Sequence, residues 1–95
     1  MEHFNLPPDI EKGKDWADKE ILQNLLKQYG EKIDTHLWKY EGDRISYSLW
    51  LAVKGESKPR RVRFCRDDLA ESAHEHNTAE RDKVRRILQK VFESL

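Results

Sequence analysis

The sequence predicts an α+β fold of order α-β-β-β-α(-α), a three-stranded antiparallel sheet with its helices packed on one face. Three observations predict it. Ile45, Tyr47, Leu49, Leu51 and Val53 are apolar at every second position, the mark of a strand with one buried face. Gly55, Ser57 and Pro59 interrupt that run, and Val62 and Phe64 resume it, which makes a strand, a polar loop and another strand. Apolar residues at helical spacing flank this pair, in 16–29 on one side and 84–95 on the other.

Ninety-five residues make one domain with one modest core. Residues 1–14 hold Pro7, Pro8, Gly13 and scattered apolar groups, and are expected to be a flexible lead-in to a single α+β domain over 15–95. Asp15 is the expected N-cap of the first helix, with Asp18 as a second candidate. Trp16, Ile21, Leu22, Leu25, Leu26 and Tyr29 form its buried stripe, and Gly30 is placed for a left-handed C-terminal cap.

Residues 33–40 read as the first strand and 45–53 as the second, joined at Glu41, Gly42 and Asp43, where glycine tolerates positive φ. Loop length sets the faces. A two-residue loop puts Trp38 and Tyr40 with Tyr47 and Leu49, and leaves Ile33, Leu37 and Trp50 outside. A three-residue loop slips the register by one, bringing Ile33 and Leu37 into the core and leaving Trp38, Tyr40 and Trp50 outside. The first is the expectation. Residues 54–59 form a loop and 60–65 the third strand, with Val62 and Phe64 inward and Arg61, Arg63 and Cys65 outward. Charged groups on such an edge also discourage edge-to-edge pairing. Asp67 and Asp68 open the next helical stretch. Asn77, Thr78 and Glu80 resemble a capping box, so a break is expected before a last helix striped by Val84, Ile87, Leu88, Val91, Phe92 and Leu95.

Net charge is zero but uneven: −3 over residues 1–20, +5 over 54–66 and −5 over 67–80. Local fields of this kind steer partners more than a total does. A single cysteine, Cys65, excludes an intramolecular disulfide and fits a reducing compartment. The opening residues lack the pattern of a signal peptide, and no apolar run reaches membrane-spanning length, so the expectation is a cytoplasmic chain with no membrane partner.

Chemical motifs are sparse. His74 and His76 are two apart, which sets them on opposite sides of a helix, and a third metal ligand would have to come from Cys65 or Glu71. Cys65 lacks a local nucleophile signature. Gly13, Gly30, Gly42 and Gly55 are isolated, so no phosphate-binding glycine loop exists. No cofactor, metal or catalytic residue is assigned. The basic hairpin is the most informative feature: Lys54, Lys58, Arg60, Arg61, Arg63 and Arg66 lie within thirteen residues, with Trp50 on the neighbouring strand as a stacking surface. Against that, the acidic stretch that follows could simply neutralise it.

The element order over 15–95 resembles that of the double-stranded RNA-binding domain. The short loop at Glu41 to Asp43 and the carboxylates of Asp67 and Asp68 at the start of the following helix depart from that family's pattern. The resemblance therefore implies topology and carries no activity. The expected function is a non-enzymatic protein-interaction or accessory module, using Trp50, Lys54, Lys58, Arg60, Arg61, Arg63 and Arg66 towards a protein partner, as a monomer or homodimer. Phosphate-directed nucleic-acid binding by the same residues is the alternative, and a thiol-dependent or hydrolytic enzyme the third.

Overall fold

A computed structural model describes residues 8–95; the expectation for residues 1–7 lies outside the described residues. The architecture is the expected small α+β fold: helices and a three-stranded antiparallel sheet in the order β1-β2-β3. The strands are β1 (Ile33–Glu41), β2 (Ser46–Val53) and β3 (Arg60–Arg63). The helices are α1 (Pro8–Ala17), α2 (Gln23–Tyr29), α3 (Arg66–Ser72) and α4 (Thr78–Glu93).

The first helix begins earlier than Asp15. Pro8 occupies its first position, where a missing N–H costs nothing. Ile10, Gly13 and Ala17 are buried. Gly13 is a contact point: a Cβ there would lie 1.8 Å from the Leu69 carbonyl oxygen, so α1 and α3 touch backbone to backbone. A π turn, Asp18–Leu22, joins α1 to α2. Its extra residue lets Ile21 and Leu22 both point inward. Gly30 is not left-handed: it is helical (φ −60°, ψ −25°) and runs into a short 3-10 turn, Gly30–Lys32.

The register keeps the expected faces with a different loop. Trp38 pairs with Leu49 and Tyr40 with Tyr47, so both aromatics lie on the core side. The connection is four residues, 42–45, rather than two. Two added residues shift the register by two and leave every side chain on its face. Positive φ falls on Ile45 (51°) and Gly55 (84°) among the described residues, not on Gly42. For a β-branched residue this conformation costs about 1–3 kcal/mol, offset here by packing of Ile45 on the core. Ile33 is buried, against expectation, because the register shifts between Ile33 and Thr35 and turns it inward opposite Val53. Each of the two weighed registers therefore holds on one side of that bulge.

Leu49, Leu51, Val53, Val62 and Phe64 from the sheet share one core with Ile10, Leu22, Leu25, Leu69, Val84, Leu88 and Phe92 from the helices. Trp38 also ties the layers by donating its indole N–H to Asp18 at 2.9 Å. The break between the last helices is where the sequence put it: Asn77 caps α4 by accepting from the Glu80 N–H. At α3 the cap is Cys65. Its carbonyl oxygen accepts from the Asp68 N–H at 3.1 Å, and the Asp68 carboxylate accepts from the Cys65 N–H at 3.1 Å. Buried Asp68 also pairs with Lys83 at 2.8 Å, and this holds the Lys83 pKa above its ordinary value. The molecule measures 41 × 35 × 17 Å. The 17 Å axis accommodates one helical layer and one sheet, and no described helix packs on the other side of the sheet.

Candidate functional site

The bare side is built by strand alternation. Side chains of β1, β2 and β3 that do not reach the core form cross-strand rows. One row runs Leu37, Trp50, Arg61; the next runs Lys39, Ser48, Arg63. Leu37 is 61% exposed, the one exposed large apolar side chain among the described residues. Trp50 stands outside the hydrophobic core, half-buried among its own row. Its indole N–H is covered and has no acceptor among the described residues.

Arg61 organises this face. Its guanidinium lies 5.1 Å from the Trp50 ring, close enough for a cation–π contact. It also crosses the sheet to pair with both carboxylate oxygens of Glu41, which accepts in addition from the Ser48 hydroxyl. This pair roofs Ser48, which explains why a serine that alternation places on the outer face is fully buried. The hydrogen bonds from Arg61 and Ser48, more than the field of Arg61 and Arg63, hold the Glu41 carboxyl below its usual range. Ser46 is spent as well, donating to the Phe64 carbonyl at 2.8 Å.

The basic hairpin is not one patch. Arg60 faces the core side opposite Leu51, at the rim. It grips Glu56 at 2.8 and 3.1 Å and donates to the Ser94 hydroxyl at 2.9 Å. Lys54 and Lys58 are exposed in the loop beside it. Arg63 and Arg66 belong to the opposite end of β3, where both are exposed. The carboxylates that neutralise this hairpin are Glu41 and Glu56. The acidic stretch after it contributes a single distant pair, Arg66 to Asp67 at 3.8 Å.

Arg63 and Arg66 are joined there by a residue the sequence did not single out, Arg44. All three line a cleft of about 340 Å³ between the β1–β2 turn and the start of α3, with Glu41, Ser46 and Cys65. No sequence signal marked Arg44, because only the four-residue turn brings it next to β3. Leu37 was legible as outward in the expected register, yet its exposure was not.

Other candidates do not assemble. The His74 and His76 rings are 5.7 Å apart, and among the described residues no three His, Cys, Asp or Glu side chains gather as a metal site. Tyr47 donates to Glu11 at 2.5 Å under Lys14, whose Nζ lies 5.2 Å from its ring. Burial, then that hydrogen bond, pushes the Tyr47 pKa up. No described helix is long and apolar enough to cross a membrane. Among protein-family models, curated proteins and solved structures, none matches this chain.

Proposed function

We propose that this chain is a non-enzymatic interaction module that receives a segment of a partner protein on the outer face of its sheet. The observation that carries the reading is the row Leu37, Trp50, Arg61: an exposed leucine, a tryptophan outside the core and an arginine stacked on it. Tryptophan and arginine are the side chains that most often dominate binding energy at protein interfaces. Lys39 and Arg63 stand beside the row and make no ion pair among the described residues, which favours a partner segment with acidic groups.

Nucleic-acid binding along β3 is supported less well. A phosphate track needs successive available cations, and Arg60 and Arg61 are already held by Glu56 and Glu41.

The test is site-specific photocrosslinking in cells, with the reactive side chain at position 37 or, as control, at Gln23 on the exposed side of α2. The reading expects one defined protein adduct from position 37, insensitive to nuclease and lost with Trp50→Ala. Equal adducts from both positions, or none from position 37, contradict it.

A further inference from the structure

We propose that the cleft between the β1–β2 turn and the start of α3 binds a phosphate monoester, carried on a phosphorylated side chain of a partner protein. This deepens the reading above, and the two fail separately, since the crosslink tests the row at Leu37 and the experiment below tests the cleft.

Three arginines from three different segments line the cleft: Arg44 from the turn, Arg63 from β3 and Arg66 from the first turn of α3. Among the described residues Arg44 and Arg63 make no ion pair and no side-chain hydrogen bond. Arg66 has only Asp67, at 3.8 Å, and Asp67 is 84% exposed. An ion pair that open to water holds its partner weakly. The cleft's one carboxylate, Glu41, is committed to Arg61 and Ser48. The charge facing a ligand is therefore that of three arginines against one carboxylate whose own partner stands beside it.

That arrangement selects the ligand's chemistry. Planar guanidinium forks match the oxygens of a phosphate and hold it by paired, charge-assisted hydrogen bonds. Arginine clusters are a recurring means of reading phosphorylated segments. The Ser46 and Ser48 hydroxyls already donate elsewhere, so recognition rests on the arginines rather than on a hydroxyl-lined pocket. A volume near 340 Å³ takes a phosphate together with the side chain that bears it. The three arginines line one cleft and come from separate segments instead of one strand, which favours a single dianion over a polymer backbone.

The experiment is an NMR titration of the labelled full chain with N-acetyl-phosphoserine amide, and with unphosphorylated N-acetyl-serine amide at matched ionic strength. Saturable shifts of the Arg44, Arg63 and Arg66 side-chain N–H signals and of the Cys65 amide are expected with the phosphorylated probe alone, with Kd on the order of 1 mM. Arg44→Gln with Arg63→Gln weakens binding by about tenfold or more, as expected from losing charge-assisted hydrogen bonds, and Arg86→Gln on the exposed side of α4 leaves it unchanged. The spectra of these variants report their folding directly, and Arg44→Gln alone, in an exposed turn, repeats the test without touching the sheet. Absence of saturable shifts, equal shifts from both probes, or affinity unchanged in the double variant overturns the proposal. A single-stranded oligonucleotide that saturates the same signals at a lower phosphate concentration assigns the cleft to nucleic acid and overturns it too.

Discussion

Gly13→Ala separates a glycine that is a helix contact from one that is only a weak helix residue. In an exposed helix, alanine in place of glycine gains about 1 kcal/mol. At position 13 the new Cβ would sit 1.8 Å from the Leu69 carbonyl oxygen, 2.6 Å from its carbon and 3.0 Å from its Cα. These are backbone atoms in α3, so no rotamer change clears them. To reach an ordinary contact of 3.4 Å, α1 and α3 must part by about 1.6 Å, enough to loosen the contacts around fully buried Leu69 and Ala17. Overpacking of this kind costs about 1–3 kcal/mol, and a clash with rigid backbone belongs at or above the top of that range. Subtracting the propensity gain leaves a net loss of about 2 kcal/mol, or roughly 8–16 °C in Tm for a domain of this size. Gly30→Ala is the matched control. Its backbone is helical and a Cβ there meets nothing within 4 Å, so it gains about 0.4–1 kcal/mol. Urea and thermal unfolding followed by circular dichroism measure both. A Gly13→Ala chain as stable as the parent, or more so, would refute the seating of α1 on α3.

The other predictions concern charges and caps. Glu41 has a lowered pKa in the folded chain, so its contribution is complete above the ordinary 4.5 and is lost as pH falls through the lower folded value; Glu41→Gln flattens the acid limb of a urea-midpoint profile, and an unchanged limb contradicts the Arg61 pairing. Tyr47 has a raised pKa, so its contribution is complete below the ordinary 10 and is lost as pH rises through the folded value. A spectrophotometric titration of tyrosinate is expected to show a step above the ordinary range, which Tyr47→Phe removes. Asp68→Ala strips the Cys65 N–H and Lys83 of their acceptor and costs about 1–3 kcal/mol in urea unfolding, whereas loss below 0.5 kcal/mol would mean the cap is not formed.

The sheet and its buried face were legible because a period of two is a property of the chain alone. Leu49, Leu51, Val62 and Phe64 could be assigned inward without knowing any partner. The start of α1 was not legible. Its inward residues are Ile10, Gly13 and Ala17, two of them small, and small residues that let helices approach look in sequence like a loop. Ile33 was misplaced because a bulge has no fixed sequence signature, and a single inserted residue reverses the face of everything beyond it. The basic cluster was visible as a density of charge, but not how it divides. Arg60 and Arg61 are consumed by Glu56 and Glu41, whereas Arg63 and Arg66 remain available and acquire Arg44 through a turn whose length the sequence left ambiguous.

Hydroxyl-radical footprinting, read by mass spectrometry at single side chains of the dilute chain, tests most directly whether the sheet has a bare side. Leu37 and Trp50 are predicted to oxidise readily while Leu49 and Leu51, on the neighbouring strand but the opposite face, stay protected. Protection of Leu37, or oxidation of Leu49 and Leu51 at a matching rate, would contradict the register and remove the surface on which the proposed function stands.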